Sequence, residues 1–585
     1  MTSFFSKLPL ADLRDVRPDS LLKDATSAVG ITVLGIPQGI AYAMIAGLPP
    51  AMGLYASIVP TAVGSLFRSS RHVITGPTNA LSLLVGAAMV ATSHDPATAA
   101  VTLALLTGLL QAAAGMLRLG ALVDYISSPV VLGYITGAGV LIGVGQLHNI
   151  TLTTGPRGTL FESIAGWVAA LSGGVHPLSV AMAVATIATM VAVRSVGRKL
   201  PDAVIAMGLA IMATAIFRLD ERGLRTIEDI APIQAGLPPI SMPDASLFIE
   251  LLPIAVACTV LSLVESSAVA RSIAARTGQR LNASAEFTGQ GLANIAAAFF
   301  SGYPTSGSLS RSAINEQSGA TSRMSGFFSA LMTLMVLMIV GPLLNITPIA
   351  ALAGLLLVVA KDLVKVRRIR KVMRTRRADQ AAFLVTLVGT WMLDLDKAIY
   401  VGVGISLVLF LQRARLLLVR EMAFDQHNQL RERRVDLDSG VLNACRKVRL
   451  LHVEGALFFG SSGELRDALE QAAASPGVEV VLVRLKRTQG MDLTTIEALE
   501  AVAVAMRSRD QRLVVVSLSP EPLARLARTG AMTVLGTENV YPTKPGWFHA
   551  MDAALTDIHQ RLSPCEGGCP DCPLTAYTSR PPKPR

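Results

Sequence analysis

Two stretches of this 585-residue chain decide how it is read: Ile74-Thr75-Gly76-Pro77-Thr78-Asn79-Ala80-Leu81-Ser82 and Gly302-Tyr303-Pro304-Thr305-Ser306-Gly307-Ser308-Leu309-Ser310-Arg311. Each contains a Pro-Thr pair followed by small or polar residues, and each leads into an apolar run too short to cross a bilayer by itself. Proline suits the first turn of a helix, and Ser, Thr or Asn can cap that turn. Both stretches therefore read as extended backbone breaking into a half-helix at membrane depth. Ordinary Pro/Gly kinks of transmembrane helices are the plainer alternative.

Working outward, a bilayer crossing needs about 20 apolar residues. Runs approaching that kind lie near 26–47, 50–67, 78–92, 97–116, 130–147, 177–193, 202–217, 248–270, 284–300, 308–318, 325–343, 347–360, 380–394 and 398–412. The two odd stretches open the third and the tenth of these fourteen, with Pro304 lying 227 positions after Pro77 (304 − 77). An odd element third in each set of seven is the pattern of a 7+7 inverted repeat. Half-helices so related meet near the midplane and aim the positive ends of their dipoles at an anion.

Composition supports a membrane chain. It is 51% hydrophobic and 16% charged, where soluble proteins carry roughly 25% charged residues. The formal net charge of +11 is unevenly placed: residues 1–420 hold 32 Lys+Arg against 21 Asp+Glu, and residues 421–585 hold 20 of each. A nucleic-acid-binding protein would carry its surplus on a soluble face with motif support, and none is visible. With a cytoplasmic N-terminus and alternating sides, 26 basic residues fall inside and 5 outside, leaving Arg311 within the membrane. That asymmetry predicts an even number of spans with both ends cytoplasmic. Residues 1–25 form a cytoplasmic segment without the apolar core of a secretory signal.

Ionisable residues within spans are expensive and usually functional. Arg311 opens the tenth run, and Glu265 interrupts the eighth between Leu263-Val264 and Ser266-Ser267. They can neutralise one another and hold the core together, and, compatibly with that, act on cargo, Arg311 as a fixed cation beside an anion and Glu265 as a proton carrier. A desolvated carboxylate without a compensating cation holds its proton more tightly, which suits the second role.

The run Gly35-Ile36-Pro37-Gln38-Gly39-Ile40-Ala41-Tyr42-Ala43, continuing to Gly53-Leu54-Tyr55, resembles the first-span signature of the SulP anion transporters. Gly289-Gln290-Gly291-Leu292-Ala293-Asn294-Ile295 and Ser308-Leu309-Ser310-Arg311 are similar to the same family. The resemblance implies a polytopic α-helical membrane protein of fourteen spans over 26–420, in which a core domain (spans 1–4 and 8–11) moves against a gate domain, elevator-fashion. It implies substrate contacts from Gln38 and Tyr42, from the backbone around Thr78, Asn79 and Ala80, and from Ser308, Leu309, Ser310 and Arg311. Glu265 matches the acid that sulfate–proton symporters of this family use for coupling. Asn79 stands where many relatives have a small or aromatic residue, which bears on selectivity.

Beyond a linker at 421–440 the pattern changes. Val448–Val453, Val478–Leu485 and Arg512–Leu518 are strand-like, while Gly463–Ala474 and Thr494–Arg509 have helical spacing. Alternation of this kind predicts a small α/β domain over 441–560, and it resembles the STAS domain that SulP proteins carry. In the related anti-sigma-factor antagonists a loop serine is phosphorylated; here that position is Leu493, with Thr494 and Thr495 beside it. The 561–585 tail contains Cys565, Cys569 and Cys572, which with His559 offer a three-sulfur, one-nitrogen zinc set. A thiol-bearing tail without metal is the other reading, and no cofactor is required for transport.

The sequence thus predicts a secondary transporter of inorganic oxyanions in a bacterial-type inner membrane, with proton-coupled sulfate uptake as its activity and a homodimer as its assembly. Bicarbonate, chloride-exchange or dicarboxylate transport, sodium coupling in place of protons, and a STAS-linked anion sensor are the alternatives. No nucleotide loop, nucleophile elbow or metal-bearing His pair points to an enzyme. Partners are a small anion, a proton and membrane lipid, and not nucleic acid.

Overall fold

The computed structural model describes residues 18–120, 126–154, 159–197, 201–424, 429–432, 445–545, 549–562 and 573–578. The chain divides into two compact units, one ending at Leu407 and one beginning at Val408.

Each of the fourteen apolar runs holds a helix: α1 (Pro18–Ile45), α2 (Pro50–Phe67), α3 (Asn79–Ala91), α4 (Pro96–Met116), α5 (Ser128–Gly145), α6 (Pro177–Val196), α7 (Asp202–Phe217), α8 (Phe248–Thr277), α9 (Ala283–Phe299), α10 (Leu309–Gln317), α11 (Met324–Leu344), α12 (Ile349–Leu363), α13 (Arg377–Met392) and α14 (Leu395–Ala414). Among the described residues, eight helices are both long and apolar enough to cross a membrane. The other six are shorter, down to 13 residues in α3 and 9 in α10. Length and composition therefore do not by themselves fix the number of crossings at fourteen. A further helix, Leu160–Ala170, occupies what the sequence reads as a loop, and a Thr159/Glu162 capping box starts it.

Helices α1 and α2 cross with almost no side chain between them. A Cβ on Gly53 would lie 1.9 Å from the Gly39 carbonyl oxygen, so only glycine admits this approach. Small residues at such crossings let helix backbones pack closely where the lipid offers no hydrophobic drive for association.

Two short strands interrupt the helical unit. β1 (Ile74–Gly76) and β2 (Ser306–Ser308) pair antiparallel, with Ile74 opposite Ser308 and Gly76 opposite Ser306. β1 leads into α3 and β2 directly into α10, so the two half-helices leave the pair in opposite directions with both N-termini turned toward it. Extended backbone in an apolar interior must have its polar groups satisfied. α9 supplies much of this through Glu286, Gln290 and Asn294, spaced four apart on one face. The Asn294 Oδ1 accepts from both the N–H and the hydroxyl of Thr305 at 2.7 Å. Gln290 Nε2 and Asn294 Nδ2 donate to the Thr305 carbonyl at 2.9 and 3.1 Å.

Arg68, directly after α2, lies at 0% exposure beneath β1. Its Nε and Nη2 donate to Glu286 Oε2 at 3.0 and 2.7 Å, and its Nη1 donates to Thr75 Oγ1 at 2.9 Å and Gln290 Oε1 at 2.8 Å. Nη2 also reaches Ser266 Oγ, and Glu286 Oε1 accepts from the Ser70 N–H. Sequence reading assigns Arg68 to a cytoplasmic loop and leaves Arg311 as the single basic residue within the membrane. The structure gives the helical unit a second buried arginine, neutralised by an acid 218 positions away.

In the second unit, β3 (Leu418–Phe424), β4 (Leu430–Glu432), β5 (Val448–Ala456), β6 (Val480–Gln489), β7 (Arg512–Leu518) and β8 (Val540–Pro542) form one sheet of order β4-β3-β5-β6-β7-β8. The β5 to β8 pairs are parallel, and β3 is antiparallel to β4 and β5. Period-two alternation sends Val481, Val483 and Val515 to a face covered by α15 (Ser462–Ala473) and α16 (Leu493–Arg507). Val480, Leu482, Val514 and Val516 face the other way, against α18 (His549–Arg561), while α17 (Pro520–Thr529) lies on the first side. β3 and β4 fall where the sequence reads the end of the membrane region and a linker. Charged Arg420, Glu421, Arg431 and Glu432 give edge strand β4 and its neighbour β3 a polar signature.

Two outcomes follow from the helical unit. Gly53→Ala forces α1 from α2 and is expected to destabilise by about 1–3 kcal/mol, read as a lowered melting temperature of the purified protein. Glu286→Ala strands a buried guanidinium, with an expected cost of about 3–5 kcal/mol. Arg68→Ala added to Glu286→Ala recovers part of that loss in a double-mutant cycle if the pair is coupled as the geometry states.

Candidate substrate site between two opposed half-helices

Thr78 and Ser308 are the N-cap residues of α3 and α10, both with extended backbone angles. Those two helix ends present N–H groups that lack intrahelical partners, which makes each a candidate for binding an anion. Asn79 changes the α3 end, because its own Oδ1 accepts from the Ala80 N–H at 2.8 Å. At the α10 end the Ser308 hydroxyl accepts from the Arg311 N–H at 3.5 Å and lies 3.4 Å from the Ser310 hydroxyl. Ser310 in turn donates to Gln38 Oε1 of α1 at 3.4 Å. Bonds of that length are well beyond the ~2.7–2.8 Å mode for O–H···O. The Gln38–Ser310–Ser308 chain is thus loosely held and open to exchange with a ligand.

Arg311 is buried at 2% exposure. Its Nη2 donates to the Pro77 carbonyl at 2.6 Å and its Nη1 to Ser57 Oγ of α2 at 3.4 Å, while Nε has no hydrogen-bond partner. The guanidinium lies against Gly76, where a Cβ would come within 2.6 Å of both terminal nitrogens. One side chain from the start of α10 thereby grips the residue leading into α3. Ser312 adds a second link, accepting from the Ile74 N–H at 2.9 Å.

Glu265, half-buried on α8, accepts from Thr78 Oγ1 at 3.0 Å. Glu265 and Arg311 form no ion pair, so mutual neutralisation, one of the two sequence readings, is not what the structure holds. The carboxylate answers to the α3 cap and the guanidinium to the backbone before it. Tyr42, one helical turn beyond Gln38, is buried in the apolar cluster with Leu34, Ile40 and Met182. Ala80 is fully buried, and Leu309 is turned outward with 48% exposure.

Of the sequence-named residues, Gln38, Ser308 and Ser310 are therefore linked directly, as are Thr78 and Glu265, and Arg311 ties the two half-helices together. Sequence reasoning missed Ser57, which touches Arg311, and the Arg68–Glu286 pair. The signal for the second was present as the four-residue spacing of Glu286, Gln290 and Asn294 within an apolar segment.

The proposed zinc ligands Cys565, Cys569 and Cys572 lie outside the described residues. His559 is on α18, with its ring nitrogens hydrogen-bonded to the hydroxyls of Thr575 and Thr578 at 3.1 and 3.2 Å. Elsewhere Glu432, His452 and Glu454 bring ligand-type atoms within 4.8 Å of one another. His452 Nε2 there is already 3.1 Å from Glu454 Oε1, and Glu432 is bonded to Arg420. Burial lowers the His452 pKa from its usual value. At the STAS-like loop, Asp492 caps α16 by accepting from the Thr495 N–H and hydroxyl at 2.9 and 2.8 Å. Thr495 is thus committed to the cap, while Leu493 and Thr494 are exposed.

Comparison with known proteins bears on this geometry. A Mycobacterium tuberculosis protein described as a probable sulfate transporter is 30% identical over 410 residues, covering 69% of this chain and 72% of that protein. Human solute carrier family 26 member 6 is 29% identical over 491 residues, covering 79% of this chain and 64% of its own length. The structure of the murine solute carrier 26 family member A9 anion transporter, in its inward-facing state, superposes with a TM-score of 0.85 at 18% identity, covering 96% of this chain and 95% of that one. Residues 442–544 match the STAS domain. Residues 21–386 match the Sulfate permease family, and with opposed half-helices at its centre this chain is a polytopic helical membrane protein belonging to that family of anion transporters, with a C-terminal STAS domain.

Proposed function

We propose that the protein takes up sulfate or a closely related oxyanion together with protons, by moving the element that carries α3 and α10 across the membrane. The observation that carries this reading is the joining of the two half-helix N-termini through Arg311, with Glu265 hydrogen-bonded to the α3 cap residue. Positive helix ends, a buried guanidinium and exchangeable hydroxyls suit a tetrahedral oxyanion, which can accept several hydrogen bonds at once. The Mycobacterium tuberculosis relative described as a probable sulfate transporter supports the choice of cargo.

Glu265 supports proton coupling through electrostatics. An ionised carboxylate at the α3 end opposes a bound anion in a medium of low dielectric, whereas a protonated one adds a donor. Binding of the anion and of the proton therefore favour one another. The excess of basic residues on one side of the segments, 26 against 5, supports cytoplasmic termini.

Reconstituted protein under an inward proton gradient is expected to accumulate labelled sulfate. Glu265→Gln is expected to abolish gradient-driven accumulation while retaining anion exchange at zero gradient; an unaltered response to the gradient removes the coupling role. Arg311→Gln is expected to raise the KM for sulfate by at least about tenfold, as loss of a hydrogen-bonded charged group costs about 1.5–3 kcal/mol. Uptake of bicarbonate in preference to sulfate in the same vesicles reassigns the cargo and leaves the site intact.

A further inference from the structure

Between α12 and α13 the chain makes a short helix, Val366–Val372, that transport chemistry does not use. The segment 361–377 holds nine basic residues and one acid, Asp362. Asp362 is taken by Arg194, 2.9 Å away. Among the described residues, no ion pair involves Arg367, Arg368, Arg370, Lys371 or Arg374, and all five are exposed. A solvated positive loop obeying the inside-positive bias needs no more than that. The pattern here goes further.

At ~100° per residue, Val366, Ile369, Val372 and Met373 fall within one arc of about 120°. Arg367, Arg368, Arg370 and Lys371 fall within the opposite arc, with no mixing of the two faces. No residue of the helix is buried, and Val366 and Met373 are 59% and 42% exposed. The helix thus shows water-avoiding side chains on one face and unpaired cations on the other, at the end of an apolar helix. A helix so divided lies in the plane of a bilayer interface, with its apolar face toward the acyl chains and its cations among the headgroups.

We propose that Val366–Met373 is an interfacial helix that binds anionic phospholipid headgroups, with Arg367, Arg368, Arg370 and Lys371 as the recognising side chains. Charge complementarity and the amphipathic division both favour this partner, independently of which anion is carried. Each basic residue near an anionic surface favours its binding by about fivefold, so the cluster selects phosphatidylglycerol-type lipid over zwitterionic lipid.

The test uses the full chain purified in detergent, titrated with dioleoylphosphatidylglycerol or dioleoylphosphatidylcholine, with the melting temperature as readout. Phosphatidylglycerol is expected to raise it and phosphatidylcholine to leave it nearly unchanged, and about 0.5 M salt to suppress the gain. R367Q/R368Q/R370Q/K371Q is expected to weaken apparent phosphatidylglycerol affinity at least about tenfold, and V366Q/M373Q to weaken it through the apolar face. R222Q/R225Q, which alters exposed arginines elsewhere, should behave as the wild type. An unchanged lipid response in the quadruple variant overturns the proposal, as does an equal loss in R222Q/R225Q. Stabilisation of the wild type by inorganic phosphate equal to that by phosphatidylglycerol, and lost in the quadruple variant, also overturns it, since a free anion rather than a lipid would then be the ligand of this cluster.

Discussion

The constraint on which the rest of the helical unit depends is the placing of extended backbone inside an apolar medium. A helix meets its own hydrogen-bonding needs, but residues 74–76 and 306–308 do not. Their pairing with one another covers only part of the requirement. Thr61 donates its hydroxyl to the Thr75 carbonyl at 2.6 Å, and Ser262 and Gln290 donate to the Thr305 carbonyl at 2.9 Å. Asn315 donates to the His72 carbonyl and Arg311 to that of Pro77. The bonds come from α2, α8, α9 and α10, so the two half-helices cannot shift alone. In the proposed elevator movement the site therefore carries these helices with it.

Arg68 shows why that frame uses an ion pair in a region where ion pairs are costly. A buried pair seldom adds stability over apolar packing of the same volume, and its loss on one side is severe. Its merit is directional. The guanidinium fork reaches Glu286 and Gln290 on α9, Ser266 on α8 and Thr75 on β1 from one carbon. Lysine, with three donors about a single nitrogen, could not span these directions. The network therefore fixes the position of β1 relative to α9, and through β1 the N-terminus of α3.

Much of this was legible from sequence, for an identifiable reason. Hydropathy runs located all fourteen helices because long apolar stretches answer to the solvent rather than to distant contacts. The Pro-Thr stretches marked the strand-to-helix breaks because proline and hydroxyl residues act locally. The burial of Arg68 in the loop after α2 is not visible in sequence, because a linear scan sees Phe67 and Ser69 and not the carboxylate that neutralises it from α9. Ser57 was passed over because a hydroxyl within an apolar helix commonly bonds its own backbone, as Ser57 does to the Gly53 carbonyl at 2.9 Å. In the second unit, β5, β6, β7, α15 and α16 were read from apolar pattern. β3 and β4, each carrying two adjacent charged residues, acquire their strand identity only by pairing, β3 onto β5 and β4 onto β3.

The two half-helix ends proposed to bind the anion are chemically unlike, and on that difference the proposed coupling rests. The α10 end meets hydroxyls and the Gln38 amide, groups that change neither charge nor donor count with pH. The α3 end meets Glu265 through Thr78, whose hydroxyl donates its single proton to the carboxylate in this structure. While it does so, that proton is withheld from a bound anion. Protonating Glu265 turns the charged acceptor that holds the Thr78 hydroxyl into a weaker neutral one and adds an O–H donor, so the hydroxyl turns more readily toward the anion as the carboxylate's charge disappears. Both changes favour loading, and both reverse when the proton leaves. A single hydrogen bond between an N-cap residue and a half-buried acid thus suffices, in the proposed cycle, to make occupancy by the anion and by the proton mutually dependent. Coupling of binding in this form is necessarily reciprocal: anion binding must raise the affinity of Glu265 for its proton by the same factor.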